Sequence, residues 1–162
     1  MATGKSAVGQ ILAQRLGWAF YDTDDMIEKQ TGHSVAELFS KGGEAAFRDL
    51  EHRELRAALE QTAVLALGGG AFVQPRNVEW IAQSGGLTVW LDAPEQVLLD
   101  RCASAAGTRP LARDPHRFQA LYRERLPFYA RAHLRVDATA APGSVVEQIL
   151  AGLALAPAGE EA

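Results

Sequence analysis

The stretch Ala63-Val64-Leu65-Ala66-Leu67-Gly68-Gly69-Gly70 decides the fold. Its unbroken apolar run is the pattern of a strand covered on both faces, as in a parallel sheet packed between helices. Three successive glycines lose much conformational entropy on folding, so their presence implies a structural return, such as a ligand approaching backbone N–H groups closely. Outward from this strand, short apolar segments alternate with helical ones. Trp18-Ala19-Phe20-Tyr21, residues 87–91 and Leu134-Arg135-Val136 read as strands. Residues 6–16, 25–30, 44–60, 77–83, 94–104, 116–125 and 143–155 read as helices. Ser34 and Glu37 form a capping box that opens a further short helix ending at Phe39. Pro127 is expected to interrupt or kink the helix before it, and residues 105–115 read as a loop. Strands alternating with helices imply an α/β architecture, a parallel sheet with helices on both faces.

The chain of 162 residues is the length of one domain, and neither a repeat nor a linker divides it. Hydrophobic residues at 48% and charged residues at 22% are a globular balance, with no apolar run long enough to span a bilayer. A single cysteine, Cys102, excludes an intrachain disulfide and a CxxC metal site, and it is expected to be a half-buried helical residue. No secretory h-region is visible, so the cytoplasm is the expected compartment. The net charge of −4 hides an asymmetry. Residues 101–135 carry eight arginines against Asp114 and Glu124, which makes that window +6 and the remainder −10. An acidic remainder argues against a nucleic-acid binder, whereas a local arginine concentration suits a small phosphate or carboxylate.

Gly4-Lys5-Ser6 at the head of an amphipathic helix is the end of a phosphate-binding loop. Backbone N–H groups at a helix start favour anions, the lysine reaches terminal phosphates, and the serine hydroxyl is a magnesium ligand. The tripeptide alone recurs by chance, and ordinary helix-start residues are the plain alternative. Asp22-Thr23-Asp24 follows a strand, placing two carboxylates at its carboxyl end, where open α/β sheets bind ligands. Such a pair can divide metal positioning from proton acceptance, although one could instead cap the next helix. His33, His52, His116 and His133 lack metal-ligand spacing. Trp18, Trp80 and Trp90 are expected in the core.

Taken in order, Gly4-Lys5-Ser6, Asp22-Thr23-Asp24, Phe47-Arg48-x-x-Glu51, Leu67-Gly68-Gly69-Gly70-Ala71, Arg109-Pro110-Leu111 and Arg125-x-Pro-x-Tyr129 resemble the shikimate kinase family. The likeness runs from Met1 to about Leu155. It implies a three-layer P-loop kinase fold that phosphorylates the 3-hydroxyl of shikimate with ATP and Mg2+, as a monomer with no nucleic-acid or membrane partner. It further implies that Gly4, Lys5, Ser6 and Ala7 hold ATP, with Lys5 on the transferred phosphate, Ser6 on magnesium and Asp22 on magnesium through water. Asp24 would bind the reacting hydroxyl and act as its base. Arg48 and Arg125 would grip the substrate carboxylate, Glu51 would orient the gripping arginine, and Gly69 and Gly70 would offer N–H groups. Arg109, in a lid over residues 105–115, would close on the phosphates, and Arg101 would stack on adenine. The segment 156–162 is expected to be a disordered tail.

One departure from the family pattern lies at the N-terminus. The family's loop reads Gly-x-Met-Gly-x-Gly-Lys-Ser/Thr after a buried first strand, and here Met1 falls on the internal methionine and Ala2 on the middle glycine. The resemblance therefore implies that the central first strand, which would lie between the strands ending at Leu67 and Leu91, is missing from this chain and that Met1 is an internal methionine. Two other readings stay open on the sequence: a shortened chain that binds an anion or a partner without catalysis, and a related small-molecule kinase such as a gluconate kinase.

Overall fold

In the computed structural model, which describes residues 2–104 and 114–155, four short strands alternate with seven helices among the described residues. Helix α1 (Lys5–Leu16) leads into β1 (Ala19–Asp22), α2 (Thr23–Thr31) and α3 (Val35–Leu59). Then come β2 (Ala63–Ala66), a 3-10 turn at Ala71–Val73, α4 (Pro75–Gln83) and β3 (Val89–Asp92). The fold closes with α5 (Glu95–Ser104), α6 (Pro115–Tyr129), β4 (Leu134–Asp137) and α7 (Pro142–Leu155). The alternation read from the sequence is therefore the alternation of the fold.

Both strand pairs are parallel. β1 lies against β2 from Ala19 opposite Ala63 to Asp22 opposite Ala66, and β3 lies against β4 from Val89 opposite Leu134 to Asp92 opposite Asp137. The two pairs do not hydrogen-bond to each other. Between β2 and β3 runs a cavity of about 610 Å³, walled by Val64 and Leu65, by Val89 and Leu91, and by Val8 and Leu12 of α1. The gap falls where the central strand was expected to be missing. It also corrects the reading of residues 63–67 as covered on both faces, because Ala63, Val64 and Leu65 are only half-buried beside it.

Packing around the cavity holds the halves together. Val8 and Leu12 of α1 meet Val136 of β4 and Val145, Val146 and Ile149 of α7 in one core cluster. Leu98 and Cys102 of α5 meet Phe118 and Tyr122 of α6 in a second. Cys102 is thus fully buried and not half-buried.

Several local expectations meet corrections. The two helices read over residues 34–39 and 44–60 are both present within α3 and are separated, as read, by non-helical backbone at Gly43, whose φ of 72° and ψ of 178° are accessible essentially to glycine alone. The capping box at its start is present, with Glu37 N–H on Ser34 and Ser34 N–H on Glu37. Pro127 does not end its helix: α6 continues past it to Tyr129. Asp114 caps α6 and Pro115 fills its first position, so the end of the expected loop belongs to the helix start. Trp18 and Trp80 are exposed and not core, and Arg56 lies 4.1 Å over the Trp80 ring. The expected tail at 156–162 and most of the expected lid, Arg109 included, lie outside the described residues.

Candidate active site

The start of α1 and the carboxyl ends of β1 and β2 meet at one edge of the fold. Gly4 caps α1 without a side-chain bond, and the first turn, which includes Ala7, carries no acid, so its N–H groups and dipole face an anion unopposed by carboxylates of their own turn. Lys5 Nζ and Ser6 Oγ both donate to Asp22 Oδ2 at 2.7 Å. The other oxygen of Asp22 accepts from Asp24 N–H at 3.1 Å and so caps α2. Asp22 therefore caps α2 with one oxygen and holds Lys5 and Ser6 with the other. Burial alone would raise its pKa, but the bonds from Lys5 and Ser6 outweigh that, and the carboxyl sits below its ordinary value.

Asp24 stands in the first turn of α2 and titrates the other way. Burial raises its pKa, attraction from Lys5 offsets part of the rise, and repulsion from Asp22, Glu28 and Asp25 adds to it. Two neighbouring carboxylates thus have opposite poise. The lowered one suits a permanent charge, and the raised one suits accepting a proton.

The second half of the site is built on α3. Arg48 Nη1 donates to Glu51 Oε2 at 2.8 Å, and Nη2 donates to Glu44 Oε1 at 3.1 Å. The guanidinium lies 5.9 Å and 5.4 Å from the ring centres of Phe39 and Phe47, within cation–π reach of both. Burial alone would lower its pKa, but Glu51 and Glu44 outweigh that and raise it, so it remains charged. Glu51 is completely buried. Burial pushes its pKa up against the attraction of Arg48, and its Oε1 has no hydrogen-bond partner among the described residues.

These groups account for two of the three glycines. A Cβ at Gly68 would come 2.8 Å from Asp24 Oδ1 and 2.9 Å from Glu51 Oε1, and one at Gly70 would strike the Arg48 guanidinium, 2.6 Å from its Cζ. The glycines make room for the protein's own charged side chains. Thr23, between the two aspartates and wholly buried, fixes the loop: its Oγ1 accepts from Gly68 N–H at 3.0 Å and donates to the Ala66 carbonyl at 3.4 Å. Sequence reading passed over Thr23, although its place between two site residues marks it as facing the neighbouring strand.

Tyr129, quoted in a motif but given no role by the sequence, donates its hydroxyl to the Gly69 carbonyl at 2.5 Å. Arg125 hydrogen-bonds the same phenol and attracts Glu51. Lys5, Ser6, Asp22 and Asp24 thus form one cluster, and Arg48, Glu51, Gly69, Gly70 and Arg125 form a second, joined to it where Asp24 and Glu51 flank Gly68. Arg101 stands apart, donating to the carbonyls of Ala138 and Thr139 at 2.8 and 3.2 Å beyond the end of β4. Nearby, a recess of about 370 Å³ is lined by Asp92, Pro94, Arg135 and Thr139.

A helix start whose lysine and serine converge on a strand-end aspartate, in a parallel α/β fold, is a donor set suited to polyphosphate, and paired arginines have the chemistry for a small carboxylate. The class is a P-loop kinase acting on small molecules. Comparison with known proteins narrows it. The family model described as shikimate kinase matches residues 1–154. A shikimate kinase of Gloeobacter violaceus is 44% identical over 158 residues, covering 95% of this chain and 88% of its own. The crystal structure of shikimate kinase from Aquifex aeolicus superposes with a TM-score of 0.85 at 35% identity, covering 95% of this chain and 92% of that one. The shikimate kinase of Acinetobacter baumannii, solved in complex with shikimate, gives 0.87 at 34% identity over 95% and 88% of the two chains. The chain belongs to the shikimate kinase family.

Proposed function

We propose that this chain transfers the γ-phosphoryl group of ATP to the 3-hydroxyl of shikimate, as a cytoplasmic monomer, with its roles divided between the two clusters. The family assignment and the pairing of a phosphate-type helix start with a buried arginine–carboxylate site support this reading. Phosphoryl transfer asks chiefly for positioning and charge stabilisation. Gly4, Lys5, Ser6 and Ala7 hold the phosphates. Lys5 leaves Asp22 for the transferring group, exchanging one anion for another. The hard oxygens of Ser6 and Asp22, sharing one locus at 2.7 Å, fit Mg2+, with Asp22 acting through water. Bound there, the metal would neutralise charge on the phosphate oxygens.

Asp24 receives the proton of the reacting hydroxyl, and its burial-raised pKa makes it a better acceptor than an ordinary aspartate. Arg48 and Arg125 hold the carboxylate of the acceptor, and Gly69 and Gly70 meet its ring through backbone N–H groups. Arg101 stacks on the adenine and Arg109 closes over the phosphates. The observation that carries the reading is the convergence of Lys5 Nζ and Ser6 Oγ on Asp22 Oδ2 at 2.7 Å, with Asp24 held beside them through its N–H on the other oxygen of Asp22.

The test is ADP release that depends on both ATP and shikimate. Asp24→Asn is expected to lower kcat about 10²–10⁴-fold, the usual worth of a positioned base. Lys5→Ala is expected to lower it about 10²–10³-fold, as removal of a preorganised charge-stabilising donor does. A purified chain that binds shikimate yet releases no ADP would overturn the catalytic reading in favour of an anion binder. Activity on gluconate in its place would overturn the substrate.

A further inference from the structure

The Tyr129 hydroxyl stands where three parts of the molecule meet. The residue ends α6, one helical turn after Arg125 and on the same face. Its ring lies 6.3 Å from that of Trp90 on β3, tilted by 42°. Its hydroxyl donates to the Gly69 carbonyl at 2.5 Å and receives a hydrogen bond from Arg125. One phenol thus spends its donor on the glycine loop and its acceptor on the arginine, which leaves neither partner's position to chance.

We propose that Tyr129 is a positioning residue that sets the distance between Arg125 and the Gly68–Gly70 loop, and so gauges the span from carboxylate to reacting hydroxyl in an acceptor. This rests on the reading that Arg125 holds the carboxylate and that Gly69 and Gly70 meet the ring. A hydroxy acid of the right span satisfies both ends together. An acceptor without the carboxylate gains nothing from the alignment. The geometry gives the phenol no part in proton transfer, because both of its bonds go to protein groups. Burial, against the attraction of Arg125 and Arg48, holds the phenol neutral at physiological pH, so the donated bond persists.

Tyr129→Phe keeps the ring against Trp90 and removes both bonds. Expected are a three- to tenfold rise in KM for shikimate, an unchanged KM for ATP and an unchanged melting temperature. Preference for shikimate over its carboxamide, taken as a ratio of kcat/KM values, should fall by a similar factor. A second variant reads the donor directly. With 3,5-difluorotyrosine placed at 129, the more acidic phenol ionises within the assay range, and KM for shikimate should climb with pH where that of the unmodified chain does not. An unchanged KM for shikimate in both variants overturns the proposal. So does a rise in both KM values together with a fall in melting temperature, the mark of a merely structural residue. If the unmodified chain fails to phosphorylate shikimate, the functional reading itself falls, an outcome distinct from an active enzyme indifferent to Tyr129.

Discussion

Gly70 shows how much chemistry a missing side chain carries. The Arg48 guanidinium rests against its α-carbon, so a methyl group there must displace a residue held by Glu51, Glu44 and two aromatic rings. Gly70→Ala is expected to cost about 1–3 kcal/mol of stability, the usual price of overpacking, and to raise KM for shikimate more than KM for ATP. Denaturant titration and steady-state kinetics on one preparation check both. Glu51 offers a test through pH. Its folded pKa lies above the unfolded value, so as pH rises between the two the folded state holds the extra proton and stability falls. Chemical denaturation across that window should show the parent chain losing stability relative to Glu51→Gln as pH rises. A flat difference would mean that Glu51 is ionised throughout.

At the scale of the element, α3 is two helices made to act as one. Its first segment carries Phe39, its second Phe47, Arg48 and Glu51, and across the break at Gly43 the two rings meet, 4.5 Å between centres, on one side of the Arg48 guanidinium. The backbone there, at φ 72° and ψ 178°, is one an alanine adopts only under strain. Gly43→Ala is expected to cost about 1–3 kcal/mol and to weaken shikimate binding through Arg48. The checks are thermal unfolding and binding calorimetry with shikimate alone. The sequence shows both segments and the break between them, because a capping box, an apolar face and the Gly42-Gly43 pair are local signals. That the two segments bring Phe39 and Phe47 to one arginine is visible only in the packing. Pro127 is the converse case: a residue that usually ends a helix lies inside α6, which runs on to Tyr129.

At the scale of the whole molecule, the four strands make two ladders and not one. β2 and β3 each have one partner, and the cavity of about 610 Å³ between them is walled largely by aliphatic side chains of strands and helices from both halves. A buried face of this kind gives up contacts and hydrogen bonds that a continuous sheet would keep. The native chain is expected to bind a hydrophobic dye such as ANS with enhanced fluorescence, a signal lost above the unfolding midpoint. Failure to bind dye under native conditions would mean that the walls close on each other in solution. Among the described residues no helix is long and apolar enough to cross a membrane.

The sequence by itself determined the alternation of strands and helices, because apolar period, caps and glycine stops are local properties of the chain. It also determined the family, since the ordered motifs from Gly4-Lys5-Ser6 to Arg125-x-Pro-x-Tyr129 survive in one dimension. What only the tertiary structure decided is how those residues divide their work. Asp22 both caps α2 and binds Lys5 and Ser6. Gly68 lies between the carboxylates of Asp24 and Glu51, and Tyr129 reaches sixty residues back in the chain to Gly69. The physical reason is the same in each case. Burial, pKa and hydrogen-bond partnership depend on distances through space, and segments far apart in the chain acquire those distances only when the two half-sheets and their helices pack.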